Sequence, residues 1–226
     1  MAVFEWSWAF FLEYLPSLLY AARITLLATV AGFAIAMVLG LAIALARDSR
    51  IAAIRRPTAA ATEFVRRTPL LVQIYFVYFI LPEAGIRIPA LACGILTLGI
   101  HYAAYLSEVY RAGIASVDRG QRDAAAALAL GPVAAFRHVV LPQALVPIVP
   151  ALGNYLIILF KETPLLSAIA VVELLQQAKI IGSLTYRYTE PITTVAIVFL
   201  VLSLVSAAGV RRLEARLKRH LRDPRG

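Results

Sequence analysis

Polar side chains set inside apolar stretches are where chemistry could sit in this 226-residue chain. In hydrocarbon an ionisable or hydrogen-bonding group is expensive, so by default it marks function. One such place is Thr68-Pro69-Leu70, with Gln73 one turn further on. Proline breaks the backbone ladder there, and the freed N–H and C=O groups suit a zwitterion. A second place holds Asn154, Lys161, Glu162 and Thr163, on or just beyond another apolar run. Plainer readings stand beside these: Asn154 as an interhelical hydrogen bond, and Lys161 with Glu162 as an interfacial charge pair. Glu108 with Arg111, and Glu63 with Arg66, are spaced i and i+3 and read as structural pairs on a helix face.

Covalent and metal chemistry find little support. The histidines are His101, His138 and His220, and only His101 falls in a long apolar run, with no carboxylate beside it in sequence. It reads as a packed polar residue. Cys93 is the one cysteine, which leaves no disulfide framework and no thiolate metal site. No Gly-x4-Gly-Lys-Ser/Thr phosphate loop occurs, so any nucleotide must bind another chain.

The elements that would position these groups are membrane helices. Apolar residues make up 61% of the chain and charged ones 15%, with mean hydropathy +0.80, against about 25% charged in a soluble domain. Segments 18–46, 58–81, 88–110, 142–160 and 192–210 each have roughly the 20 mostly apolar residues that a ~30 Å hydrocarbon core requires. The fold class expected is therefore all-α, integral to a membrane, with five spans in a single domain over 1–226. Stretch 165–175 is too short to span and reads as re-entrant or lying at the outer face. Residues 1–16 carry no basic residue, so they read as an interfacial lead-in with Trp6, Trp8 and Tyr14 at headgroup level, rather than a signal peptide.

The net charge of +9 lies in the loops. No aromatic residues interleave with it, which argues against nucleic acid. Arg47, Arg50, Arg55 and Arg56 follow the first segment, and Arg111, Arg119, Arg122 and Arg137 follow the third. A tail running from Arg211 to Arg225 follows the fifth, and its stretch Arg211–Arg222 reads as an anchor on anionic lipid. Only Arg87 lies between the second and third segments, and the charges near the fourth are balanced. Lys/Arg asymmetry thus sets the N-terminus outside and the C-terminus inside. An ion-coupled carrier would show internal repeats, and five unequal segments show none. An intramembrane enzyme would need paired carboxylates, a Ser–His pair or a metal cluster.

One non-spanning stretch, about 116–142, stands out. Gly120-Gln121 opens a helix, Asp123 is expected to cap its first turn, and Ala124 to Ala127 propagate it. Gly131 is expected to stop that helix and Pro132 to start a second, until Leu141-Pro142 turns the chain into the fourth segment. An amphipathic connector lying on the membrane is the alternative reading.

The spacing Asp123-Ala124-Ala125, Ala129, Val139, Leu141-Pro142 resembles the signature loop of ATP-binding-cassette (ABC) importer permeases: Glu-Ala-Ala, three residues, Gly, nine residues, Ile, one residue, Leu-Pro. Asp, Ala and Val replace the family's Glu, Gly and Ile. Thr68-Pro69-Leu70-Leu71-Val72-Gln73, Tyr105…Glu108…Arg111, Pro150…Asn154 and Lys161-Glu162-Thr163-Pro164-Leu165 are similar to the polar amino-acid uptake branch. Pro164 and Tyr188-Thr189-Glu190-Pro191 look more like permeases for ectoine or hydroxyectoine. The resemblance implies the type I importer permease fold in a bacterial cytoplasmic (inner) membrane. It also implies that Gly120, Gln121, Asp123, Ala124, Ala125, Ala129, Gly131, Leu141 and Pro142 couple to an ATPase dimer holding ATP and Mg. Two permease chains would pair around the path, and an extracytoplasmic solute-binding protein would deliver cargo.

Overall fold

A computed structural model describes residues 6–222, with side chains to residue 217. The start of the expected lead-in (1–5) and the end of the basic tail therefore lie outside the described residues. Among the described residues every regular element is a helix. Four are long and apolar enough to cross a membrane, or five if one bent pair is a single span.

Helix α1 (Trp8–Arg47) starts ten residues earlier than the expected first segment, where the Ser7 side chain accepts from the Phe10 N–H at 3.3 Å. The lead-in is thus already helix from Trp8. Tyr14 is buried, and its hydroxyl shares a 2.8 Å hydrogen bond with Thr194. Further along α1, Ala28, Gly32, Ala36, Gly40 and Ala44 are buried at four-residue intervals, one small-residue ridge. It lies along α4 (Ala90–Ala115): Gly32 meets Leu98, and Gly40 meets Leu106 and the Ala103 carbonyl, so the two helices run parallel. Apolar burial does not drive helices together in lipid, whereas close backbone approach through small residues does.

Between them, α2 (Ala52–Arg67) and α3 (Leu70–Tyr75) meet at 105° across Thr68-Pro69. The segment expected over 58–81 is therefore two helices. Thr68 is extended (φ −97°, ψ 131°), the conformation that a following proline imposes.

Beyond α3 the chain passes through a π turn, Phe76–Ile80, and a 3-10 turn, Leu81–Ala84, that ends on Gly85 at φ +83°. A second π turn, Phe136–Val140, joins α6 (Pro132–Ala135) to α7 (Leu141–Glu162) without interruption. Each π turn stops two residues before a proline, Pro82 or Pro142. A proline ring strikes the carbonyl four residues back, and a wider turn moves that carbonyl aside. Side chains satisfy carbonyls around the second turn: Gln143 Nε2 donates to Val139 at 2.9 Å, and His138 Nδ1 to Ala134 at 3.0 Å. Leu141-Pro142 does not turn the chain, contrary to expectation. One helix runs from Pro132 to Glu162, about 45 Å at 1.5 Å per residue.

Helix α7 is antiparallel to α4, with Gly113 against Ile148 and Gly94 against Leu166. A 3-10 stretch, Thr163–Ile169, continues it, with Leu166 and Ile169 buried. The first half of 165–175 thus prolongs the fourth span inside the core. The chain reverses at Ala170 (φ +59°) and enters α8 (Leu174–Thr185). Glu173, fully buried, caps α8 by accepting from the Leu175 and Gln176 N–H groups at 2.9 and 2.7 Å. Burial raises its carboxyl pKa, and those two donors pull it partly back. Helix α9 (Thr189–Arg222) returns antiparallel to α7, with Phe199 against Phe160 at 4.8 Å and Val210 against Gly153. The ends of α1, α4 and α9 and the start of α7 therefore share one end of the bundle, the end rich in arginine.

Candidate functional site

At that basic end, α5 (Arg119–Ala127) is capped by Asp118, whose Oδ1 accepts from the Gly120 N–H at 2.7 Å. The sequence alone points to Asp123 for this role. Asp123 lies in the second turn, exposed, and makes no hydrogen bond or ion pair among the described residues. The helix stop also differs from expectation. Ala129 itself is left-handed (φ +53°), with Ala129 N–H donating to Ala126 at 2.9 Å and Leu130 N–H to Ala125 at 3.1 Å. That pair of bonds is the usual glycine-type helix ending. Gly131 (φ −63°, ψ 158°) instead precedes Pro132 as the cap of α6.

The mount of α5 is firm on one side and open on the other. Arg122 donates to the Ile114 carbonyl at the end of α4 (2.7 Å), and Gln143 of α7 donates to Gln121 Oε1 (3.2 Å). Ala125 is buried, whereas Gly120, Gln121, Asp123 and Ala124 are exposed. Leu141 is half-buried and Pro142 exposed, on the unbroken helix that leads away from this surface. Helix α5 is thus tied directly to α4 through Arg122 and to α7 through Gln143.

Just above, Glu108 joins three helices. Its Oε1 accepts from Arg47 of α1 at 2.7 Å and from Arg66 of α2 at 3.0 Å, and its Oε2 accepts from Arg111 at 3.1 Å. Arg111 also reaches Asp48 at 3.1 Å, and Glu63 bonds Arg67 at 2.5 Å. The expected i, i+3 pairs are present, but the carboxylate's main role is between helices.

The polar residues of the interior gather around the α2–α3 break. Gln73 Nε2 donates to the carbonyls of Val65 (2.7 Å) and Thr68 (3.0 Å), and its Oε1 meets His101 Nδ1 at 3.1 Å. Tyr105 donates to the Arg66 carbonyl at 3.2 Å. The carbonyls freed by Pro69 are thus largely answered from within the chain. Pro69 is exposed, Thr68 bonds the Phe64 carbonyl, and Leu70 is buried in the core.

Across from the break, α7 ends at Glu162, which accepts from the Tyr102 hydroxyl at 2.5 Å. Lys161 is exposed and forms no ion pair with Glu162, so the expected charge pair is not made. Thr163 is fully buried and returns a hydrogen bond to Phe160. Asn154 makes no interhelical hydrogen bond among the described residues and, with Lys161 seven residues on, sits on an exposed face of α7. Tyr102, Tyr105 and Tyr155 stand 6.0–6.2 Å apart, ring to ring, beside His101. Nothing in the residue types alone singles out Tyr102 and Tyr155. Their spacings, i, i+3 to Tyr105 and i, i+7 to Glu162, were the available signal.

A helical bundle with one sharply broken helix pair, and a small-faced helix exposed at its basic end, is the build of an ABC importer permease. Residues 7–219 match the family described as binding-protein-dependent transport system inner membrane component, and this chain belongs to that family. It is a transport subunit of the type I importer fold and not an enzyme. A probable amino-acid ABC transporter permease of Sinorhizobium fredii is 46% identical over 209 residues, 92% of this chain and 90% of that one. The glutamine transport system permease of Escherichia coli is 35% identical over 216 residues, 95% and 99% of the two chains. The crystal structure of an amino acid ABC transporter with histidines matches with TM-score 0.90 at 37% identity, covering 94% of this chain and 100% of that one. An inward-facing methionine ABC transporter matches at TM-score 0.67 and 22% identity, a likeness of fold alone. Neither of the two relatives is described as an ectoine permease.

Proposed function

We propose that this chain is the permease of an importer for a polar amino acid, with its basic end in the cytoplasm and its N-terminus outside. The Lys/Arg distribution supports that orientation, with Arg47, Arg111, Arg122 and Arg211 at one end of the bundle. The observation that carries the reading is the exposed face of α5, Gly120, Gln121, Asp123 and Ala124, held by Arg122 and Gln143. An ATPase subunit carrying ATP and Mg seats that face in a cleft, and its closure moves α4 and α7 as rigid bodies. Two permease chains form the path, and a solute-binding protein delivers cargo at the far end.

Within the path, the solute meets the open face of α7 near the break. Lys161 takes a carboxylate and Glu162, held by Tyr102, takes an ammonium group, with Asn154 one column below. Thr68, Pro69, Leu70 and Gln73 shape the opposite wall, and Thr163 fixes the end of α7. The amino-acid names of the relatives support this class over ectoine. Reconstitution with the ATPase and the binding protein tests it. ATP-dependent uptake of a polar amino acid such as glutamine is expected; uptake of ectoine with no amino acid transported would overturn the assignment.

A further inference from the structure

Helix α9 runs on well past its apolar part. Because Gly153 of α7 lies against Val210 and the helices are antiparallel, Arg211 comes level with Leu152. That is the depth of Gly113 and the Glu108 cluster, where the other helices leave the apolar region. From there to Arg222 the helix continues for about 17 Å.

Its two faces differ. At about 100° per residue, Phe199, Val210, Leu213 and Leu217 fall on the side turned toward α7. Ile197, Leu200, Val201, Leu204 and Val205 fall on the opposite side and are exposed. Arg211, Arg212 and Arg216 continue that same side downward, within roughly half the circumference. Arg211, Arg212 and Arg216 are exposed.

An outward apolar stripe that turns basic where the apolar region ends matches an acyl layer followed by its headgroups. We propose that the basic stripe of α9 binds anionic phospholipid headgroups of the inner leaflet; the choice of leaflet rests on the orientation given above. A second copy of this chain does not suit the surface, because a two-fold axis sets the same patch against itself, arginine against arginine. Anionic headgroups complement it in charge, and each basic residue near such a surface contributes about 1 kcal/mol, about fivefold in affinity.

Native mass spectrometry of the whole permease complex, released from nanodiscs of mixed phosphatidylcholine and phosphatidylglycerol, reads this without solute or transport. A failed transport assay therefore leaves the test intact. The unaltered complex should retain phosphatidylglycerol in excess, less so at high salt. Joint Arg211→Gln, Arg212→Gln and Arg216→Gln substitution should cut the excess roughly tenfold or more. The corresponding triple Lys variant keeps the charge and should keep the excess, which separates charge from folding. Unchanged enrichment in the Gln variant overturns the proposal, as does equal loss in the Lys variant. Loss of the ATPase subunit from the Gln variant, with lipid enrichment intact, assigns the stripe to that protein instead.

Discussion

The Tyr102 hydroxyl donates to Glu162 at 2.5 Å, tying the middle of α4 to the point where α7 gives way to a 3-10 turn. A hydrogen bond to a charged acceptor contributes about 1.5–3 kcal/mol. Tyr102→Phe removes the donor and leaves the carboxylate free to swing. Glu162→Gln keeps an acceptor and removes the charge. Both should weaken solute affinity in proteoliposome uptake, the second by roughly tenfold or more, because the charge pair with an ammonium is lost. Identical uptake kinetics in both variants would take Glu162 out of the path.

Gln73 closes the broken backbone by donating to Val65 and Thr68. Gln73→Ala leaves two carbonyls without that donor at a cost of about 1–3 kcal/mol. Thermal unfolding of the purified chain should register a lower midpoint, and uptake should fall with it. A variant that transports poorly at unchanged stability would instead make Gln73 a solute contact.

Much of the architecture was legible in the sequence because its signals are local. Long apolar runs announce spans, Pro69 announces the break, and the spacing from Asp123 to Pro142 announces the exposed loop. What could not be read depends on packing. The partners of Glu108 on α1 and α2 lie 61 and 42 residues away, and the partner of Tyr102 lies 60 away. Pro142 reads as a helix start, yet the π turn before it lets the helix pass through. Ala129 reads as a helix former, yet its neighbours' hydrogen bonds hold it left-handed.

Ala129 therefore carries a conformational cost of about 1 kcal/mol that glycine would not. Ala129→Gly should raise thermal stability slightly and leave coupling intact. Ala129→Val should lower both, since a β-branched residue tolerates positive φ worst. Measured midpoints in the reverse order would contradict the left-handed helix stop.

Gly40 sits where a Cβ would come within 3.0 Å of the Ala103 carbonyl oxygen. Gly40→Val must push α1 from α4 along the small-residue ridge, at about 1–3 kcal/mol or more. Reduced yield of folded protein and a lower unfolding midpoint are expected, while Gly209→Ala, where nothing lies near, should change little.

The coupling role of α5 is open to direct test at Asp123. Asp123 is exposed and unpaired among the described residues, so Asp123→Lys should leave folding and membrane insertion as they are. In the reconstituted complex, ATPase activity stimulated by the loaded binding protein should vanish in this variant, together with uptake. Normal uptake by Asp123→Lys would contradict the assignment of α5 as the helix through which ATP hydrolysis moves the spans.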